Sequence, residues 1–534
     1  MRLVKAAEMQ ELDRLTTRKL GISGIVLMEN AGRGASRLFL NHFDPLPGSH
    51  VLVLCGSGNN GGDGYVMARY LFQAGLKVTV AVLSELSRIS NDALTNLEII
   101  LNMGFDIMEV PDMDGWAELK RELEDCDYII DGILGTGLST PVRGLYSQVI
   151  EEVNSLEKPV LAVDIPSGIN ADTGQIMGTA IEADITVTFG FPKVGEFISP
   201  GAELAGRLTR IDISIPDTVA DQVPAEFHMI EPNYFKDFFH MERQDIHKGD
   251  RGHVLVIAGS IGKTGAAVLT ATGALRAGAG LVTLGVPESL NPVFEEKLTE
   301  AMTVPLPETS DRSLSINAEK AIHSLLKGKT AVAIGPGLST NKETIALVRN
   351  IVARCDLPMV IDADALNALA GDMEVLTAHN SKRILTPHPG EMARLTGLKN
   401  SEIQADRLGT ACAFVKEHGC YLILKGAHTL IADPAGHIYL NPTGNSALST
   451  GGSGDVLTGL IAGFLARQWP MNMAAIAGVY MHGMAADLLA EDMGPAGVLA
   501  GDLLEVFPEI AASLIRDDWP MAELPPHMDL YQPL

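Results

Sequence analysis

Short runs that are apolar at every position recur along the chain, separated by longer stretches with helical spacing. In the first half the runs are HVLVLCG (50–56), KVTVAVL (77–83), DYIIDGI (127–133), PVLAVDI (159–165) and DITVTFG (184–190). Helical patterns lie between them, among others over 64–75 and 145–156. Continuous apolar strands joined by helical crossovers predict a parallel sheet covered on both faces. Segment 214–245 breaks the rhythm with prolines, charges and no sustained period, and reads as a linker. The rhythm then restarts, with runs at 253–259, 280–286, 330–336, 358–364, 382–388 and 421–426 and helical stretches at 265–278, 342–355, 401–418 and 454–468. KGAHTLIADP (425–434) reads as strand, turn, strand. No short repeat appears, which excludes a solenoid. The longest uncharged run, between Arg467 and Asp487, holds Pro470, Asn472 and His482 and predicts a buried helix, not a membrane span.

Composition narrows the class. A chain of 534 residues accommodates about three to five ordinary domains, or two large α/β ones. With 46% hydrophobic and 20% charged residues it has ample core, and wholesale disorder is excluded. Forty Lys and Arg against 66 Asp and Glu leave a net charge of −26, which disfavours nucleic acid or an anionic membrane as a general partner. A small anion is still permitted, because a local nest of backbone N–H groups overrides the global field. The five cysteines (Cys55, Cys126, Cys355, Cys412, Cys420) are odd in number and form no CxxC pair, so neither a zinc framework nor a disulfide scaffold is supported. A reducing cytoplasm is the simplest setting, and the first residues lack the apolar core of a signal peptide.

The run CGSGNNGGDGYVMARYL follows a strand and enters a helix. Gly56, Gly58 and Gly61 satisfy GxGxxG, and Glu85 stands where a dinucleotide fold places an acid, so a dehydrogenase is one alternative. Asp63, however, puts a carboxylate at the expected helix start, where a pyrophosphate would sit. Consecutive Asn and Gly suit positive φ and a nest of N–H groups; the plainer alternative is a glycine turn capped by Asp63. Two further loops, 131–144 and 164–174, leave strands at their C-terminal ends, the usual site side of such sheets. Asp131, Asn60 and the Ser167 region offer hard oxygens without Cys or His, suiting a monovalent or alkaline-earth cation better than zinc. Taken singly, Asp131 and Asp164 read equally well as turn caps.

In the second half GSIGKTG (259–265) invites a phosphate-loop reading, but Ile257 stands where the first glycine belongs. The stronger signal is NPTGNSALSTGGSGDVLTGLIAGF (441–464). Gly451, Gly452 and Gly454 precede an apolar helix, whose N–H groups and dipole make an anion hole. Asp455 at its mouth can take a proton from an attacking hydroxyl while the amides hold phosphoryl oxygens. IDADALNAL (361–369) and TPHPGEMARL (386–395) end strands with acids and a histidine, and His388 alone reads most simply as a turn residue.

LMENAG (27–32), GNNGGDG (58–64), DGILGTG (131–137), DIPSG (164–168) and TFGFPKVG (188–195) come in the order of the YjeF N-terminal family, so residues 1–215 resemble an NAD(P)H-hydrate epimerase domain with a Rossmann-like three-layer α/β fold. The resemblance implies a hydrate site lined by Asn59, Asn60, Gly61, Gly62 and Asp63 and by Gly135, Thr136, Gly137, Leu138, Ser139, Thr140 and Pro141. It places Asp164 on the nicotinamide part and a potassium ion at Asn60, Asp131 and Ser167. Asp164 and Lys193 are the candidate catalytic pair. Further on, HKGDRGHVLVIAGS (247–260), TGAAVLTATGALRAGAGLVT (264–283), GPGL (335–338), DADALN (362–367), TPHPGE (386–391), KGAHT (425–429) and STGGSGD (449–455) resemble the ADP-dependent NAD(P)H-hydrate dehydratases, a ribokinase-like α/β fold. That resemblance implies ADP contacts from Lys425, Gly426, Ala427, His428, Thr429 and Gly454, and hydrate contacts from Ala266, Gly337, His388 and Asp455. Asp455 matches the catalytic base, and His428 stands where the family often has Arg.

The expected organisation is therefore an epimerase domain over 1–215, a linker over 216–240 and a dehydratase domain over 241–520. The two halves together would repair hydrated NADH and NADPH. One interconverts the R and S epimers at C6, and the other dehydrates the S form at the expense of ADP, giving AMP and phosphate. The resemblance further implies magnesium and a homo-oligomer, with no nucleic-acid or membrane partner. Two alternatives stand beside this reading: a kinase of a vitamin alcohol, against which the YjeF-like half speaks, and a non-catalytic nucleotide-binding scaffold, against which the retained Asp131, Asp164 and Lys193 speak.

Overall fold

The computed structural model describes residues 1–240, 245–376 and 382–516. They form two compact units, one over Arg2–Phe227 and one over the described residues from His228 onward.

The first unit is built on seven parallel strands in the order Ile107–Glu109, Lys77–Val82, His50–Cys55, Tyr128–Gly132, Val160–Val163, Ile185–Phe189 and Arg207–Ile211. Chain order reverses at His50–Cys55, which pairs with Lys77–Val82 on one side and Tyr128–Gly132 on the other. This switch point opens a crevice at the carboxyl ends of the strands, where ligands of such sheets bind. One apolar core lies under helices Ala6–Leu15, Gly24–Phe43, Asn59–Gln73 and Asn91–Asn102. The opposite core lies under Met113–Asp125 and Leu145–Asn154. The expected three-layer Rossmann-like fold is thus present. All five strands expected here form, and Ile107–Glu109 and Arg207–Ile211 add two more.

In the second unit nine strands of its sheet run in the order Ile438–Leu440, Leu430–Ala432, Tyr421–Leu424, Arg383–Leu385, Met359–Ile361, Ala331–Ile334, His253–Ile257, Leu281–Pro287 and Met302–Leu306. The pairings among the first three are antiparallel and the rest parallel; of the strand, turn, strand expected over 425–434, the turn and the second strand Leu430–Ala432 fall there, while the first strand, Tyr421–Leu424, ends just before it. Helices Thr264–Arg276 and Ser453–Ala466 lie against each other through small residues; a Cβ on Gly459 would stand 2.2 Å from the Thr270 carbonyl oxygen. The uncharged run belongs to helix Met471–Met493, the one described helix long and apolar enough to cross a membrane, and 72% of its most apolar stretch is buried. It is a core helix, as its Pro, Asn and His content predicted.

The segment read as a linker contributes core residues to both units, and the boundary between them falls inside it, between Phe227 and His228. Val219, Ala220 and Val223 belong to the first unit's core, and Ile230, Phe235 and Phe239 to the second's. Phe239 meets Phe464 and Trp469 edge-on, and those two rings stack at 4.5 Å. Each such pair is worth about 0.5–1.5 kcal/mol beyond burial. Isolated aromatics spaced among prolines and charges carry no period, so this anchoring was invisible in the pattern. Residues 241–244 and 517–520 of the expected boundaries lie outside the described residues.

Candidate functional sites

At the switch point of the first unit lies a cavity of about 820 Å³. Helix Asn59–Gln73 forms one wall, and it begins five residues earlier than the helical pattern suggested. Gly58 is its extended N-cap, so Asn59, Asn60, Gly61 and Gly62 form the first turn, and Asp63 sits one turn inside. The expected positive φ and N–H nest are therefore absent at these glycines. They are small because the backbone is crowded: a Cβ on Gly61 would stand 2.1 Å from the Gly56 carbonyl oxygen. Asn59, Asn60, Asp63, Asp164 and the loop from Gly135 to Thr140 line the cavity. Gly61, Gly62 and Pro141 are not among its lining residues: the two glycines are buried and Pro141 is exposed.

Asp164 follows strand Val160–Val163 with φ +68°, a left-handed conformation a non-glycine residue keeps only when its surroundings impose it. Its Oδ1 accepts the Phe189 N–H at 3.2 Å and the Lys193 ammonium. Lys193 is wholly buried and also donates to Thr188 Oγ1 at 3.0 Å and the Phe189 carbonyl at 3.4 Å. It stands behind Asp164 and is not among the lining residues. Three more carboxyls gather here. Glu196 is buried; its Oε2 accepts the Lys193 N–H at 2.6 Å, and burial pushes it up to about 8. Burial, then the charges of Asp164 and Asp13, hold Asp63 well above the usual carboxylate range. Asp13 on helix Ala6–Leu15 lines the cavity, and burial followed by Asp164 raises it to about 6. Sequence reasoning missed Asp13 and Glu196, because neither sits in a loop at a strand end.

The potassium set comes together in part. The Asp131 carboxylate is fully buried and accepts Ile133 N–H at 3.2 Å, Ser167 N–H at 2.7 Å and Ser167 Oγ–H at 2.5 Å. Asn60 is buried, and both polar atoms of its side chain are without a partner. A Cβ on Gly135 would stand 3.3 Å from Asn60 Cβ, so that loop closes over the amide. A buried carboxylate near the unpartnered amide oxygen of Asn60 fits a large monovalent cation, with Ser167 Oγ engaged by Asp131 and Leu134.

In the second unit, helix Ser453–Ala466 starts after Gly452, whose φ of +96° turns the glycine run into the helix. Asp455 is in the first turn, and burial, then Asp362, push its carboxyl up to about 7 against the opposing Lys425. Asp362 is buried; its Oδ1 accepts Lys425 Nζ at 2.9 Å and Thr386 Oγ1 at 2.8 Å, and its Oδ2 accepts Thr458 Oγ1 at 2.8 Å. Glu391 Oε2 is 3.9 Å from Lys425 Nζ. Burial alone would lower the Lys425 ammonium, but Asp362 and Glu391 outweigh it and raise it. A Cβ at Gly454 would meet Lys425 Nζ at 3.3 Å, so the expected ADP residues Lys425 and Gly454 are adjacent to the expected base. His388 is an exposed helix N-cap whose Nδ1 accepts the Gly390 N–H at 3.0 Å, with Nε2 3.5 Å from Glu391. Ala266 and Gly337 meet at the neighbouring strand end, where a Cβ on Gly337 would stand 3.2 Å from Ala266 Cβ.

The turn from Gly426 to Thr429 is held from below by a residue no motif contained. Arg407 is buried and donates to the carbonyls of Ala427 at 2.5 Å and Leu424 at 3.2 Å. Thr429 Oγ1 closes the turn on the Gly426 carbonyl at 2.9 Å, and His428 takes φ +48°. Among the described residues no group of three His, Cys, Asp or Glu is placed to hold a metal.

Two α/β units, each with a lysine-paired carboxylate at the site end of its sheet, define a two-site enzyme. Residues 24–195 match the family described as YjeF-related protein N-terminus, and residues 254–509 the family described as NAD(P)H-hydrate dehydratase. A bifunctional NAD(P)H-hydrate repair enzyme of Moorella thermoacetica is 43% identical over 518 residues, 96% of this chain and 97% of the relative. The enzyme so named in Escherichia coli is 35% identical over 93% of this chain and 92% of its own. The solved ADP/ATP-dependent NAD(P)H-hydrate dehydratase of Bacillus subtilis is 31% identical, covering 54% of this chain and 98% of that one, with a TM-score of 0.46. The chain belongs to the bifunctional NAD(P)H-hydrate repair enzyme family.

Proposed function

We propose that this chain epimerises hydrated NADH and NADPH at C6 in its first unit and dehydrates the S epimer in its second, using ADP. The observation that supports this best is the full-length relation to bifunctional enzymes, with the carboxylate and lysine residues of both motifs retained. The division of labour follows the two units: residues up to about the expected boundary at 215 for epimerisation, and those from 241 for dehydration.

In the second unit Asp455 takes the proton of the C6 hydroxyl as its oxygen attacks the β-phosphorus of ADP. A C6–O–P ester forms and the bond from β-phosphorus to the bridging oxygen breaks, releasing AMP. Loss of the ester as phosphate, with a proton from C5, restores the reduced nicotinamide. Phosphate leaves far more readily than hydroxide, which is why a kinase-like site suits a lyase. The first-turn amides of helix Ser453–Ala466 face the transferring phosphoryl group, and Lys425 supplies the positive charge beside it. Gly426 to Thr429 hold the nucleotide, and Ala266, Gly337 and His388 the hydrate. Magnesium has no three-ligand protein cage among the described residues; this ion ordinarily arrives with the substrate's phosphates. In the first unit, potassium would be held by Asn60, Asp131 and Ser167, where it would neutralise a buried carboxylate and join the start of helix Asn59–Gln73, the end of strand Tyr128–Gly132 and the loop at Ser167.

The test is direct. A mixture of R and S hydrates with ADP should return completely to reduced cofactor, read by its absorbance, with one AMP formed per molecule repaired. Conversion of the S fraction alone would remove the epimerase, and no ADP dependence would remove the dehydratase.

Arg407→Met offers a finer check. Losing the anchor of the Gly426–Thr429 turn should raise the KM for ADP about tenfold, or ~1.4 kcal/mol, and weaken thermal protection by ADP. The KM for the hydrate should stay the same. An unchanged KM for ADP would dissociate this turn from the nucleotide.

A further inference from the structure

Four carboxyls of the first unit, Asp13, Asp63, Asp164 and Glu196, surround a single ammonium, Lys193. Fully ionised, the cluster would carry three uncompensated negative charges in a largely dry site, a cost far beyond what one lysine offsets. It therefore holds protons at neutral pH. Asp164 is the member bound to the Lys193 ammonium. Glu196 is occupied by the Lys193 backbone and is not among the lining residues. The raised carboxyls within reach of a ligand are Asp63, held well above the usual carboxylate range, and Asp13, raised to about 6 by burial and Asp164; both line the cavity.

Asp13 has a second distinguishing feature. Its Oδ1 is buried away from water and accepts no hydrogen bond, an arrangement a carboxylate avoids but a carboxylic acid tolerates. It comes from the face of helix Ala6–Leu15 that lines the cavity through Met9, Gln10, Asp13 and Arg14. This helix precedes residue 24, where the family match begins. The charged groups around Asp13 are Asp164, Lys193 and Asp63, with Arg14, Arg18 and Asp92 on the same cavity wall.

We propose that Asp13 is a further catalytic carboxyl of this site, delivering a proton to the substrate's C6 hydroxyl while Asp164, paired with Lys193, receives one from the returning water. This rests on the epimerase reading above. The hydroxyl leaves as water, taking the electron pair of the C6–O bond, and the N1 lone pair stabilises the resulting cation as an iminium. Water adds to the other face of C6 and gives a proton to Asp164. One proton leaves Asp13 and one arrives on Asp164, so the reaction consumes none; the carboxyls exchange roles in the reverse direction, and proton exchange with water in the cavity resets them between forward turnovers. A group on Asp13 that titrates near 6, with an Asp63 proton beside it, suits exchange in both directions.

The experiment uses the full chain and the separated R epimer without ADP, following appearance of S. Asp13→Asn should slow epimerisation by about 10²–10⁴-fold in kcat with little change in KM. ADP-driven dehydration of the S epimer, a reaction of the second unit, should be unchanged, and a parental melting profile of the variant certifies the fold of the first unit. Asp13→Glu should recover part of the rate, and the pH profile of the Asn variant should lose one limb of the parental profile. Parental rates in Asp13→Asn overturn the proposal. So does equal loss in the Asn and Glu variants with the parental pH profile preserved, which would mark a packing role. A parental chain unable to convert R to S would overturn the epimerase reading itself, and that is visible before any variant is made.

Discussion

Asp455→Asn is expected to slow dehydration by about 10²–10⁴-fold while R and S hydrates still interconvert. The amide fills the same space but takes no proton from the attacking hydroxyl. The environment sharpens the expectation. Burial and the nearby Asp362 carboxylate raise Asp455 to about 7, while Lys425 opposes them. A base must be ionised to act, so the parental dehydration rate should climb as pH rises through about 7 and level off above it. Residual activity of the Asn variant should lack that limb. Single-turnover measurement of AMP from the S epimer and ADP separates this step from product release. A variant that forms AMP at the parental rate would take Asp455 out of the chemistry and leave Lys425 and the helix amides to carry it.

How much of this was legible in the chain depended on whether the signal was local. Buried parallel strands are continuous apolar runs, so His50–Cys55 and His253–Ile257 announce themselves. Arg207–Ile211 does not, because an edge strand with Arg207 and Arg210 reads as a charged loop. Asp164 and Asp455 were legible, since each stands at a strand or helix end inside a small-residue loop. Lys193 and Lys425 are legible in their motifs too, but the carboxylates that surround Lys425 and Asp455 are not. Asp362 and Glu391 sit inside recognised motifs, yet a carboxylate that ends a strand looks the same whether it caps a turn or holds a lysine 63 or 34 residues away (425 − 362; 425 − 391). Asp13 and Arg407 act on residues far along the chain from amphipathic helices outside every motif, and Glu196 stands one residue past the end of TFGFPKVG. Gly61 and Gly62 show the converse error: their positions are right, but the expected backbone conformation is wrong, because they serve close packing rather than a left-handed turn.

Asp164→Ala should stop conversion of R to S and so divide repair of a mixed hydrate into two phases. The S fraction is dehydrated at the parental rate, and then the reaction stalls with the R fraction unspent. Adding a separate active epimerase should restart it. The reasoning begins with the C6–O bond, which must break and re-form on the other face. Water returning to C6 has to lose a proton, and Asp164 is the cavity-lining carboxylate bound to the buried Lys193 ammonium. Alanine removes that acceptor and also leaves Lys193 buried without its counter-charge, a change that typically costs about 3–5 kcal/mol. Dehydration by the same molecules reports on the second unit only, so the first unit needs its own check. Asp164→Asn supplies it, because the amide oxygen still accepts the Lys193 and Phe189 hydrogen bonds but takes no proton. Both variants should stall at the same point, with the Asn variant melting closer to the parent. If Asp164→Asn carries the mixture to completion well above the spontaneous rate of epimerisation, Asp164 only orients Lys193, and the ammonium itself must then hand its proton to the departing hydroxyl.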